Sequence, residues 1–373
     1  MLVLIRSNAI VGDPRLEKYV NFLDKKGHPY CIIGWNRTHD KNVAKNTVYY
    51  MKQSGYAVGG AKAAKDRLTW FWFCICTMFK MKNVKTIHAC DLDGAFPAIL
   101  YKILGHWKVK VIFDVFDWYS DTLANQPKWL RCIFHMMEWM TTKLSNTVII
   151  CEPERIKQIP YKVDKKVKIL PNIPSFGNTD FLKEDETLHF NNNKPTLTYV
   201  GGFYDGRFLK ELLDVAEQGA CNLLIAGYGD KAFEERCKQL NNKCENIHYY
   251  GKVKYEEGQN IMYNADIIYA MYCKINPNHI FAAPNKYYEA MMLAKPIIST
   301  KGTIVGEKIE KHDIGYTIEE NKEELLALLN SLNKGDIVRK GAMAHKLWNE
   351  EYKDYVEQFM NKEYANLIKE KQV

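Results

Sequence analysis

The stretch Ala282–Thr300, AAPNKYYEAMMLAKPIIST, decides the fold. It reads as a tight loop, a short helix and a buried strand. Pro284 suits a first helical turn, because it lacks the N–H that has no partner there. Tyr287, Tyr288, Met291 and Met292 give the helix an apolar side. Lys295–Pro296 stops it, and Ile297–Ile298 starts a strand. Asn285 and Lys286 fall in the first turn, where free N–H groups and the helix dipole attract anions. Glu289 follows one turn later, within reach of sugar hydroxyls. The pattern accommodates a phosphate-plus-ribose ligand. It also accommodates an ordinary αβ unit with a solvated lysine and glutamate.

The same alternation fills the rest of the chain. Leu2–Ile5 is a continuous apolar run, the mark of a strand buried on both faces. After the loop Ser7–Pro14, Leu16, Tyr19, Val20 and Leu23 recur at helical spacing, and Cys31–Trp35 is the next strand. Thr86–Cys90, Lys110–Val115 and Thr147–Cys151 are further strands with helical stretches between them. These imply a parallel sheet with helices on both faces. Val167–Pro171 closes the series, and Ser175–Lys194 is polar and Asn-rich. The pattern then restarts with strand Thr196–Val200, helix Arg207–Ala216, strand Asn222–Ala226 and helix Lys231–Leu240. Strands Ile247–Tyr250 and Asp266–Met271 follow. Helices are expected over Glu323–Leu332, Asp336–Trp348 and, finally, Tyr352–Lys369. The expected fold class is α/β: two Rossmann-like, doubly wound domains, 1–174 and 195–350, joined by a linker 175–194 and facing across a cleft. Such sheets bind ligands at the carboxyl ends of their strands.

Composition narrows the function. The 373 residues are 47% hydrophobic and 26% charged, as in ordinary globular chains. A formal charge of +8 is moderate for this length, and no nucleic-acid-binding signature accompanies it, so no nucleic-acid partner is expected. The ten cysteines are scattered, with no C-x-x-C pair. That fits reduced, buried thiols in a cytoplasmic protein. The start, MLVLIRSN, lacks the basic opening and longer apolar core of a secretion signal. No run approaches the ~20 apolar residues that span a bilayer.

Several motifs carry chemistry. No G-x-G-x-x-G follows the first strand, which weakens a dinucleotide-dehydrogenase reading. Arg15, near a helix N-terminus in GDPR, is placed to meet an acceptor phosphate or to lie on the surface. In VGGFYDGRFLKELL, Gly201 and Gly202 directly follow a strand, where glycine lets backbone N–H groups approach an anion. Arg207 enters the next helix on the same side. Gly227 and Tyr228, in IAGYGD, form another glycine turn suited to a base or ribose. HACDLDG contains Asp91-x-Asp93 at the start of a helix. Capping explains these two better than metal binding, yet a strand's carboxyl end directs Asp91 or His88 toward the cleft. FDVFDWYSD brings Asp114, Asp117 and Asp121 just past another strand, and Asp117 is a candidate for sugar contact.

The segment Lys62–Lys85 sets an apolar run, Leu68–Phe79, between lysines and arginine. Twelve residues cannot span a bilayer, but tryptophans with basic flanks suit a helix lying in an anionic lipid surface. Trp70, Trp72, Lys80 and Lys82 are the expected contacts. KWLRCIFHMMEWMTTK, Lys128–Lys143, repeats the flavour. Two core helices are the alternative.

With these motifs in order, the chain resembles glycosyltransferase family four of the GT-B fold, especially its bacterial polysaccharide-assembly members. The resemblance rests on IVGDPRLEKYVNFLDKKGHPYCIIGWNR, HACDLDGAFPA, KVIFDVFDWYS, ILPNIP, YVGGFYDGR, IAGYGD, YGKV and AAPNKYYEAMMLAKPIIST. It implies retaining transfer of a sugar from a nucleotide-diphosphate donor of UDP or GDP type. It implies no cofactor and no essential metal. It places the donor diphosphate at Gly202, Arg207 and Lys286, the ribose at Glu289, and Asp91 near the reacting sugar or acceptor. It also implies that the last helix packs back on the first domain. Two positions depart from the family pattern: Phe281 stands where a first glutamate is usual, and Gly202 where an arginine is usual. The expected acceptor is a lipid-linked glycan in surface polysaccharide assembly, and the expected location is the inner face of the cell membrane. A non-catalytic nucleotide-sugar-binding subunit and a nucleotide-sugar epimerase share the architecture.

Overall fold

A computed structural model describes the chain except residues 9, 38–43, 53–59, 124–125, 160, 164–165, 175–180 and 370–373. It divides into two units, Met1–Pro171 with Val356–Val373, and Asn172–Tyr355.

The first unit runs β1 (Leu2–Arg6), α1 (Pro14–Lys25), β2 (Tyr30–Trp35), β3 (Thr47–Tyr50), α2 (Gly60–Lys80), β4 (Thr86–Cys90), α3 (Asp91–Ile103), β5 (Lys110–Val115), α4 (Tyr119–Thr122), α5 (Lys128–Leu144), β6 (Thr147–Ile150) and β7 (Val167–Ile169). Its parallel sheet has the order β3-β2-β1-β4-β5-β6-β7. The strand order reverses beside β1, so the carboxyl ends of β1 and β4 flank the switch point where doubly wound sheets place ligands.

Helix α2 explains the aromatic run. Trp70, Phe71, Cys74 and Met78 recur at helical spacing and are buried in the core under the sheet. Trp70 is fully buried, its indole donating to the Asp93 carbonyl at 2.8 Å and its ring stacked 5.4 Å from Trp35. This corrects its expected place at a membrane: burying so large a ring stabilises the unit by about 2–3 kcal/mol, which a surface position would forgo. Trp72, Lys80 and Lys82 are exposed. No helix among the described residues is long and apolar enough to cross a membrane.

The second unit runs β8 (Thr196–Phe203), α6 (Leu209–Glu217), β9 (Asn222–Gly229), α7 (Lys231–Lys243), β10 (Ile247–Tyr249), α8 (Tyr255–Tyr263), β11 (Ile267–Tyr269), α9 (Pro277–Ile280), α10 (Asn285–Met292), β12 (Ile297–Thr300), α11 (Ile304–His312), β13 (Gly315–Ile318), α12 (Lys322–Ser331) and α13 (Lys334–Leu347). Its parallel sheet reads β10-β9-β8-β11-β12-β13. Counted within the unit this is 3-2-1-4-5-6, the dinucleotide-fold order, with its switch point between β8 and β11.

The expected linker lies partly outside the described residues, at 175–180. Its remainder is tied to the second unit. Lys183 N donates to Asn260 Oδ1 at 2.9 Å and Asp185 N to Asn264 Oδ1 at 2.8 Å. Leu188 is buried with Leu224 and Ala226. The helix expected over Tyr352–Lys369 follows a π-turn (Trp348–Tyr352) and is broken into a short helix (Tyr355–Gln358), a second π-turn (Phe359–Tyr364) and a last helical turn (Ala365–Ile368). Tyr364 is fully buried in the first unit, 4.8 Å from the Tyr19 ring.

Candidate active site

The candidate site of the second unit is built around the glycines that end β8 and β9, which are strand and not turn. β8 runs on through Gly201 and Gly202, opposite Gly227 and Tyr228 of β9. A Cβ at Gly227, where φ is +152°, would stand 1.8 Å from the Gly201 carbonyl oxygen. Only glycine permits the strand ends to approach this closely. The chain then turns at Gly206 and delivers Arg207 two residues before α6, not within the helix.

Arg207 lies with its guanidinium 4.3 Å over the Tyr272 ring. Its Nη1 is buried and has no hydrogen-bond partner among the described residues. Lys286 comes from the first turn of α10, with Nζ 5.3 Å over the Tyr199 ring. A Cβ at Gly201 would meet that Nζ at 3.0 Å, so the ammonium rests against the glycine backbone. Burial lowers the Lys286 pKa and the Arg207 charge lowers it further, while Glu289 opposes both. Two cations held close together and partly desolvated repel each other, and an anion between them removes the penalty.

Helix α10 adds backbone donors. Its N-cap is Pro284, whose side chain cannot cap, so Asn285 and Lys286 hold the N-terminal positions. The loop before it is held by Asn172, which donates from Nδ2 to the Ala283 carbonyl at 2.8 Å. Tyr287, Tyr288, Ala290 and Met291 are buried and fix the helix on its core side. Glu289 is 3% exposed and accepts from the Tyr255 hydroxyl at 2.8 Å. Tyr228 is exposed, with Lys252 Nζ 4.7 Å above its ring. Gly201, Gly202, Arg207, Lys286 and Glu289 therefore stand together, and Gly227 and Tyr228 adjoin them on β9.

In the first unit, Asp91 opens α3 with φ +58°, a left-handed conformation uncommon outside glycine. It accepts from the Phe116 N–H at 3.0 Å and pairs with Arg6. Arg6 is also bound by Asp13 at 2.7 Å and covered by the Phe116 ring at 4.1 Å. Burial raises the Asp91 pKa to about 6, against the lowering effect of Arg6. Asp117 is exposed and pairs with Arg155 at 2.9 Å.

Arg15 and His88 are corrected. Arg15 is 4% exposed and turned inward, with Nη2 at 2.5 Å from Asp114 Oδ1 and Nη1 at 2.8 Å from the Leu170 carbonyl. Its charge balances a fully buried carboxylate, so it does not reach an acceptor. His88 is fully buried, with Nδ1 3.0 Å from the Tyr364 hydroxyl and Nε2 3.5 Å from Asp114. It is a core histidine. His88, Cys90 and Asp114 bring donor atoms within 4.8 Å of one another, but Asp114 already serves Arg15 and the Tyr19 hydroxyl. Sequence reasoning missed Arg6, Tyr199, Tyr255 and Tyr272. Only Arg6, at the carboxyl end of β1, carried a positional signal.

With this geometry in view, residues 194–333 match the family described as "Glycosyl transferases group 1". No curated protein matches the sequence. Solved structures share the architecture over almost the whole chain. Sucrose-phosphate synthase from Thermosynechococcus elongatus aligns with TM-score 0.71 at 14% identity, covering 98% of each chain. Trehalose-6-phosphate from E. coli bound with UDP-2-fluoro glucose aligns at 0.70 and 9%, again over 98% of each. WaaG, a glycosyltransferase involved in lipopolysaccharide biosynthesis, aligns at 0.67 and 11%, covering 99% of this chain and 100% of that one. The fold is GT-B, and the chain is a glycosyltransferase.

Proposed function

We propose that this glycosyltransferase moves a sugar, with retention, from a nucleotide-diphosphate donor to a lipid-linked glycan in surface polysaccharide assembly, working at the cytoplasmic face of the membrane. The observation that carries the donor half is the pair Arg207–Lys286 beside the glycine strand ends. A UDP-sugar is bound in one structure of the same fold, and another belongs to a lipopolysaccharide glycosyltransferase, which supports both the donor class and the acceptor class.

The residues divide the work as follows. The diphosphate lies against Gly201 and Gly202, with Arg207, Lys286 and the N-terminus of α10 as its counter-charges. Glu289, aimed by Tyr255, takes the ribose hydroxyls, and Tyr228 offers a ring to the base. As the glycosidic bond breaks, charge grows on the leaving diphosphate, so the cations contribute most in the transition state. Asp91 serves the acceptor side. No cofactor and no metal enter this reading, in which Arg207 and Lys286 supply the positive charge. Replacing Arg207 or Glu289 by alanine is expected to lower turnover at least about tenfold. Full activity in both variants would remove the site assignment.

A further inference from the structure

Four of the chain's eight tryptophans are exposed, and all four belong to the first unit: Trp72, Trp107, Trp129 and Trp139, at 69%, 61%, 65% and 48% exposure. Their placement is regular. On α5, Trp129, Ile133, Met136 and Trp139 are exposed, and at 100° per residue they fall within an arc of about 120°. The opposite side of α5, with Phe134, Glu138 and Thr141, is buried. On α2 the exposed positions Leu68, Trp72 and Phe79 form a second stripe, opposite the buried Trp70 and Cys74. One side chain links the two helices: the Arg67 guanidinium of α2 lies 4.9 Å over the Phe134 ring of α5. Phe79, at the end of α2, touches His106, beside Trp107, with ring centroids 5.1 Å apart.

Charge separates this face from an ordinary apolar patch. The exposed charged side chains of α2 and α5 are cations: Lys62, Lys65 and Lys80 on one, Lys128 and Lys143 on the other. The acidic residues of the same helices are withdrawn. Asp66 is 2% exposed and paired with Lys52, and Glu138 is 3% exposed and accepts from Ser120. Exposed tryptophans among cations, with every described carboxylate on the two helices turned inward, match the headgroup level of an anionic bilayer.

We infer that the outer faces of α2 and α5 form one docking surface for anionic lipid, with Trp129 and Trp139 as its principal anchors beside Trp72. This rests on the membrane location in the proposed function and deepens it, with Trp129 and Trp139 of α5 taking the place of the buried Trp70 as anchors. The full chain is sedimented with vesicles of phosphatidylglycerol and phosphatidylcholine, and with phosphatidylcholine alone. The expected result is partition onto the anionic vesicles only, weakened by salt. The double variant Trp129→Ser/Trp139→Ser is expected to lose about tenfold in partition. Both side chains are exposed, so its melting temperature should be retained. No partition at low salt, or equal partition by the variant, overturns the inference. So does a concentration-dependent dimer that the variant abolishes, because the face would then be covered by a second copy. Nucleotide-induced stabilisation of both proteins reports the donor site separately, and its loss would count against that reading alone.

Discussion

The Tyr255 hydroxyl donates to Glu289 Oε1 at 2.8 Å, across 34 residues of sequence. Glu289 sits on α10 at 3% exposure, and Tyr255 opens α8. The bond fixes one carboxylate oxygen, and the proposed donor site uses the other for a ribose hydroxyl. Tyr255→Phe should raise the donor KM several-fold, about 1 kcal/mol for one lost hydrogen bond, and leave kcat nearly unchanged. Steady-state kinetics with 2′-deoxy and ordinary nucleotide sugars check this. The variant should lose more affinity for the ordinary donor, and equal losses would show that the tyrosine is only structural.

Asp91 has a pKa raised to about 6 by burial, with the Arg6 charge pulling it down and the Asp117 charge raising it. The acceptor-side role proposed for Asp91 requires its ionised form, which predominates above that value. Activity should therefore rise with pH through about 6. Asp91→Asn should remove this limb and lower kcat about a hundredfold. A pH–rate profile checks it, and a variant that keeps the rising limb would assign the titration to another group.

Lys18 is 5% exposed, and its pKa is lowered to about 7 by burial, with the Arg15 charge adding to the effect. Its folded state favours the neutral amine. The contribution to stability is present above the ordinary lysine value and is lost as pH falls through about 7. Lys18→Met should therefore stabilise the protein, by on the order of a few kcal/mol below neutrality and less in alkali. Melting temperatures on both sides of the transition test the sign. An equal gain at each pH would contradict it.

Gly227 and Gly251 both have positive φ, but only Gly227 is crowded, since a Cβ at Gly251 meets nothing within 4 Å. Gly251→Ala should cost about 1 kcal/mol for its conformation. Gly227→Ala should cost roughly 3 kcal/mol or more, because β8 and β9 must part, and it should weaken nucleotide binding. Denaturant unfolding and nucleotide titration of the two variants separate backbone strain from crowding at the site.

The continuous apolar strands made both sheets legible, because a parallel strand buried on two faces leaves an unbroken hydrophobic run. β3, TVYY, escaped because its residues are only partly buried or exposed, so no such run marks it. The glycines after β8 read as a turn because glycine weakens strands, yet here it admits a neighbouring strand end. The proximity of Arg207, Lys286 and Glu289 was legible because strand ends and a helix start place them. Arg15 was misplaced because its partner Asp114 lies 99 residues away, and sequence alone cannot tell a buried ion pair from a surface arginine. Trp70 and Trp72 differ by two positions on one helix, so a run of aromatics could not show which of them faced the core. Nothing in YEEGQ marks Tyr255.

Calorimetric titration of UDP, GDP and other nucleoside diphosphates into the protein and into Arg207→Ala tests the central claim most directly. The account predicts that at least one of them binds the unaltered protein, and that it binds the variant at least about tenfold more weakly. Binding of none, or equal affinity for both proteins, would contradict it.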